Sequence, residues 1–274
     1  GDRAEVRGID GRFRLLTGFT TNDLGSSYPR IFAAPDGKIF GMAYTNMYRL
    51  DPAANGGAGS RTNLGSTTGY SPTWHSPVVM FAPGQILLAG GNDNKAAIVD
   101  IRGAAPIVSS AGTLTQRRIW SNASVLADGR VAVTGGSATE NQAVDVAYHA
   151  ELFDPVTRSW TTGPSAQRMR LYHSISLLLP DATLLTGGGG APGPYKGLDG
   201  EIYYPPYLFG TDGQPKARPV LTSAPTVAEP RSSITLTSPQ AATIHRMTMV
   251  ATGSTTHSFD RNQRFIELDF YRNG

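Results

Sequence analysis

Two imidazoles and a phenol are the side chains of this sequence that could do chemistry together. Residues 170–190 read RLYHSISLLLPDATLLTGGGG, and 84 positions after His173 the stretch GSTTHSFDRNQR carries His257. Imidazole nitrogen with phenolate oxygen is a ligand set that suits copper(II) better than calcium or magnesium, whose shells are built from oxygen. Tyr172 and His173 are neighbours, and neighbours in an ideal strand point to opposite faces. They can share an ion only where the chain bends.

The composition narrows what can hold them. Thirty-two Gly and 19 Pro with 16% charged residues in 274 predict short strands and tight turns, without the charge excess of a disordered chain. A net charge of +3, with no block of Lys and Arg to line up on phosphates, predicts no nucleic-acid partner. The absence of cysteine excludes disulfides, thiolate metal sites and a cysteine nucleophile within the chain. No apolar run of about 18 residues predicts a membrane span. The start, GDRAEVRGID, reads neither as a signal peptide nor as an initiator segment, so a processed product or part of a longer protein is expected.

Repetition organises most of the chain. Tight-turn signals at Asp36-Gly37-Lys38, Pro83-Gly84-Gln85, Asp128-Gly129-Arg130 and Asp181-Ala182-Thr183 recur at intervals of about 50 residues. Each follows an apolar run and precedes a second one that ends in a glycine pair: Gly90-Gly91, Gly135-Gly136, Gly187-Gly188. A hairpin, a glycine pair and a third strand such as 150–155 make the pattern of a kelch propeller blade. Four blades are expected, over 25–70, 71–117, 118–168 and 169–210. The run Gly187 to Gly190 is not a phosphate loop, because Pro192 and Pro194 follow it where a helix would have to begin.

Beyond the blades, Tyr203-Tyr204-Pro205-Pro206-Tyr207 leads into a linker and then a different pattern. Residues 234–237 and 244–250 alternate with period two, as half-buried sandwich strands do. Too few residues remain for seven strands. The expected architecture is all-β: a partial propeller over 1–213, with about four blades of seven, and a truncated immunoglobulin-like sandwich over 214–274. Four blades leave two open sheet edges, so further blades or a partner are needed to close the ring.

The segments EIYYPPYLF with ARPVLTSAP, RLYHSISLLLPD with its glycine run, and TTHSFDRNQR resemble the galactose oxidase and glyoxal oxidase group of copper-radical oxidases. That group joins a seven-bladed kelch propeller to an immunoglobulin-like C-terminal domain. The resemblance extends over nearly the whole chain and is specific from about Gln167 to Arg264. It implies copper, with Tyr172 as the axial tyrosine that acts as base toward an alcohol, and His173 and His257 as ligands. His257 would be inserted into the propeller channel by a loop of the second domain. Trp120 falls where the group places an aromatic wall of the substrate pocket. The group's tyrosine–cysteine radical cofactor has no counterpart here, since the chain has no cysteine.

The remaining candidates have plainer readings. His75, His149 and His245 are expected to pack or hydrogen-bond rather than ligate. Asn122-Ala123-Ser124 is a glycosylation sequon that matters only in a secreted eukaryotic protein. Tyr203, Tyr204 and Tyr207 are expected to pack the junction between propeller and sandwich. Two functions are therefore weighed. One is a secreted or cell-surface oxidase that converts a primary alcohol or aldehyde while reducing O2 to H2O2, with a small-molecule or carbohydrate substrate. The other is a non-catalytic secreted kelch propeller that serves as a carbohydrate-binding or cell-surface module.

Overall fold

In the computed structural model, residues 2–25 and 28–273 are described, and the regular elements among them are β-strands and short 3-10 turns. A first sheet runs Arg30–Ala33, Ile39–Ala43, Asn46–Asp51, Ser60–Ser66, and a second Val78–Ala82, Gln85–Ala89, Lys95–Asp100, Ile107–Thr113. A third runs Asn122–Val125, Val131–Thr134, His149–Asp154, Ser159–Ser165, and a fourth Ser174–Leu178, Leu184–Gly188, Gly200–Tyr203. Each is an antiparallel meander in chain order, as in a propeller blade.

The same local chemistry closes three of the first hairpins. The carboxylates of Asp36, Asp128 and Asp181 each accept from the backbone N–H two residues on, which forms the turn without help from the rest of the protein. The alternate residues of the inner strands then pack blade on blade. Val79, Phe81, Leu87, Val125, Val131 and Phe153 fill the space between the second and third sheets; Phe32, Phe40, Val78, Met80 and Ile86 fill that between the first and second.

The C-terminal segment is driven into these layers. Phe259, 1% exposed, completes the core between the first two sheets, and Phe265 that between the second and third. Between them, Phe259 bridges Val78 in parallel, and the Gln263 amide accepts from the Val125 N–H (2.7 Å) and donates to the Val125 carbonyl (2.8 Å). The Gln263 side chain thus pairs with an inner strand as backbone would. Thr255 Oγ1 donates to the Ser176 carbonyl at 3.0 Å, so the segment 255–263 reaches the inner strands of three blades.

One strand expected from the alternation is not formed. Residues 234–237 keep the alternating exposure, but they make only an isolated bridge between Ser223 and Thr237. Period two sets which side chains share a face; a ladder also needs a neighbouring edge in register. Residues 247–250 have one, pairing with Phe265–Leu268. No helix among the described residues is long and apolar enough to cross a membrane.

Candidate metal centre

Aromatic side chains stand shortly before the first strand of all four sheets, Tyr28, Trp120 and Tyr172 two residues ahead and Trp74 four. In two blades an arginine two residues earlier pins the approach. Arg118, buried with Glu151 (0% and 1% of their side chains exposed), bonds the Glu151 carboxylate at 2.9 Å and the His149 carbonyl at 2.7 Å. Arg170 takes the same place before Tyr172, bonding Asp199 at 2.6 Å and Glu201 at 3.0 Å.

The backbone then turns left-handed, at Trp120 (φ 62°) and at His173 (φ 63°). This is the bend that a shared ion requires. It lays the Tyr172 and His173 rings against each other, 3.7 Å between centroids and 25° between planes. The glycines ending the second strands make room for it. A Cβ on Gly189 would lie 2.8 Å from the Leu171 nitrogen, and its φ of +106° is itself one that other residues resist. Gly189→Ala is therefore expected to lose about 2–4 kcal/mol of stability, from backbone strain and overpacking together. Urea denaturation checks this, and a loss under about 1 kcal/mol would contradict the packing account.

From the other side, His257 (φ 51°) and Ser258 (φ 62°) form a turn that presents the second imidazole. His173 Nε2 and His257 Nε2 stand 3.2 Å apart, and the Tyr172 hydroxyl is 3.4 Å from His257 Nε2. The outer ring nitrogens are occupied: His173 Nδ1 meets the Ala191 carbonyl at 3.0 Å, and His257 Nδ1 meets Thr256 Oγ1 at 2.7 Å. A carbonyl can only accept, so His173 carries its hydrogen on Nδ1 and, when neutral, turns a lone pair inward.

Electrostatics favour neutral groups here. Burial, followed by the charges of His173, Arg30 and Arg261, holds His257 below the usual imidazole range. Burial, followed by Tyr28 and Glu140, pushes the Tyr172 phenol up. The donor set fits a nitrogen-preferring cation. Two metal–nitrogen bonds of about 2.0–2.1 Å set roughly at right to tetrahedral angles would separate their nitrogens by about 2.9–3.4 Å, which brackets the observed spacing. Among the described residues no group of three or more His, Cys, Asp and Glu side chains gathers, so the third donor at this point is the phenol.

An aromatic wall surrounds the three groups. Tyr28 stacks on His257 at 3.9 Å and 18°, Trp120 lies 4.4 Å from Tyr172, and Trp74 meets Trp120 edge-on at 4.7 Å. Trp120 is 2% exposed, covered by Trp74, His75 and Tyr172, and its indole N–H has no protein acceptor. Sequence reasoning singled out Trp120 and missed Tyr28 and Trp74. The signal was available, since each precedes an inner strand of the repeat.

The other histidines are elsewhere. His149 lies along a third-blade strand with its Nε2 2.7 Å from Thr115 Oγ1, and His245 is exposed. His75 is buried against the wall beside Thr73, and burial, then the charges of Arg117 and Arg30, lowers it to about 4. An unfolded chain takes up a proton at about 6.5 that the folded one refuses. Folding stability from this group is thus complete above pH 6.5 and is lost as pH falls toward 4. Comparing the protein with His75→Gln by urea denaturation, the difference in stability between them should change by about 2 kcal/mol from pH 7 to pH 4.5. A difference constant with pH would show that His75 titrates normally.

Comparison with known proteins gives the chain its relatives. The profile of the family described as "Galactose oxidase-like, Early set domain" matches residues 218–274. A solved structure described as a novel fungal alcohol oxidase of the AA5 family in complex with copper superposes with a TM-score of 0.89 at 28% identity, covering 100% of this chain and 62% of that one. The chain resembles the galactose oxidase-like family, whose early-set domain it carries over residues 218–274. A galactose oxidase of Gibberella zeae is 30% identical over 162 residues, 57% of this chain and 24% of its own length. The aldehyde oxidase GLOX1 of Arabidopsis thaliana is 24% identical over 289 residues, 88% of this chain and 46% of its own. This galactose oxidase-like chain thus spans less than half the length of the curated relatives it matches. The structure of YjhT, at 11% identity and a TM-score of 0.52 over 73% of this chain and 76% of that one, shares the fold alone.

Proposed function

We propose that the chain contributes the copper-binding and proton-accepting side of a secreted or cell-surface oxidase acting on a primary alcohol or aldehyde. The convergence of His173 Nε2, His257 Nε2 and the Tyr172 hydroxyl within 3.4 Å carries this reading. We divide the chain at 213/214 into propeller and immunoglobulin-like parts, so that each part supplies one imidazole. Bound copper would supply a one-electron acceptor and a Lewis acid for the alcohol oxygen.

The chain's own residues do the rest. The two imidazoles hold the ion, with their outer nitrogens fixed by Ala191 and Thr256. Tyr172, held against the His173 ring, would accept the alcohol proton as general base in its phenolate form, which a bound cation beside it would favour over the neutral phenol. Tyr28 and Trp74, backed by the buried Trp120, shield the approach from water and give a substrate carbon chain an apolar face. The family's crosslinked tyrosine–cysteine does not fit residues present here, because the chain has no cysteine, and no step is assigned to it.

The alternative reading is a non-catalytic carbohydrate-binding or cell-surface propeller that keeps the metal without the oxidation. The first test is electron paramagnetic resonance of the copper(II)-loaded protein. Nitrogen coupling from two imidazoles is expected; a spectrum of copper with oxygen donors alone would overturn the assignment of both histidines.

A further inference from the structure

Arg30 begins the first blade's inner strand and is 5% exposed. Among the described residues no carboxylate forms an ion pair with it, and its Nε and Nη1 are buried without an acceptor. Among the described residues its hydrogen bonds come from one nitrogen: Nη2 donates to the carbonyls of Trp74 (2.6 Å), Ser76 (3.1 Å) and His257 (2.9 Å). The guanidinium lies over the Phe259 ring, 5.1 Å from its centroid. A cation buried with two idle donors is unfavourable for the fold as such, so its retained bonds invite a reason.

The reason lies in what it joins. His257 and Ser258 are consecutive left-handed residues, a conformation that side-chain-bearing residues adopt only when their surroundings over-determine it. The tie from Ser258 to the second blade is long, 3.4 Å from the Val78 N–H to the Ser258 carbonyl. The bond from Arg30 to the His257 carbonyl is shorter and charge-assisted, and it spans 227 residues of sequence. The same nitrogen holds the second blade's entrance at Trp74 and Ser76, so the turn is referenced directly to the propeller.

We propose that Arg30 is the positioning residue of His257: it clamps the turn so that His257 Nε2 is held opposite His173 Nε2. The proposal rests on the reading that these two rings bind copper(II). Two physical effects of Arg30 oppose each other in that role. Its charge disfavours a second cation nearby, whereas its hydrogen bond keeps one ligand from drifting. Truncation therefore decides between them by sign.

The test uses the whole chain with Arg30→Met, which removes both charge and clamp, and Arg30→Lys, which keeps the charge and one donor. Copper(II) affinity by calorimetry should fall at least tenfold in Arg30→Met and recover in part in Arg30→Lys. In the metal-free protein, the nuclear Overhauser contact between the His173 and His257 rings should be present in the parent and lost in Arg30→Met, with the core methyl signals unmoved. Tighter copper binding by Arg30→Met, or an unchanged ring contact, would overturn the proposal. If Arg30→Met does not fold, Arg30→Gln, which removes the charge and shortens the reach, decides: parental affinity with an unchanged ring contact would count against the clamp. A parent protein that shows the ring contact but binds copper without imidazole coupling would instead sink the copper reading and leave the clamp standing.

Discussion

Replacing His257 with alanine is expected to weaken copper(II) binding at least 100-fold, about 2.7 kcal/mol, while His149→Ala changes it by less than about twofold. The contrast follows from position. His257 Nε2 faces His173 Nε2 at 3.2 Å, whereas His149 is bonded to Thr115 on a blade strand. With His257 gone, the remaining donors, Tyr172 and His173, come from a single turn, and the second domain no longer contributes a ligand. Calorimetric titration of both variants at one pH measures it. Equal affinities would remove His257 from the site.

The second large effect is a loss already built into the sequence. Copper-loaded protein of this sequence is expected to release no hydrogen peroxide above a copper-free control with galactose, glyoxal or simple primary alcohols. Oxidising an alcohol removes two electrons, and copper(II) accepts one. A second one-electron site is needed, and the chain has no cysteine from which the family's tyrosine–cysteine bond could form. A peroxide-coupled assay decides. Sustained release would require a redox partner within the chain, and the phenols of Tyr28 and Tyr172 around His257 would be the first to replace. If the same chain is joined to blades that supply the tyrosine and cysteine and remains silent, the carbohydrate-binding reading gains.

Much of the fold was legible because it is encoded locally. Three Asp-led turns carry their own hydrogen bonds, and with the Pro83-Gly84-Gln85 turn between them they announce four sheets. Tyr172, His173 and His257 stood out through the motifs RLYHS and TTHSF around them, since with eleven tyrosines in a strand-rich chain residue type alone singles out no phenol. What escaped is set by distant contacts. The left-handed backbone at Trp120, His173 and His257 has no local cause in those residue types, and it is held by packing against glycines and by Arg30. Arg30 reads in sequence as an unremarked charge at a strand start. Residues 234–237 read as a strand because alternation records a face and is silent on whether an edge waits beside it.

The join between segment 255–263 and the inner strands also governs when the centre can exist. A ribosome adds residues at about 5–20 per second and releases them in order. Tyr172, His173 and the blade entrances emerge first, while the turn that carries His257 follows 84 residues later. During that interval the nascent sheets offer one imidazole and a phenol on an open axis, where Gln263 has not yet paired with Val125. A transition metal taken up then would meet an incomplete shell and be lost readily. Loading therefore belongs after translation has passed the last segment, and a pulse of copper given to stalled chains shorter than His257 should leave with a brief chelator wash.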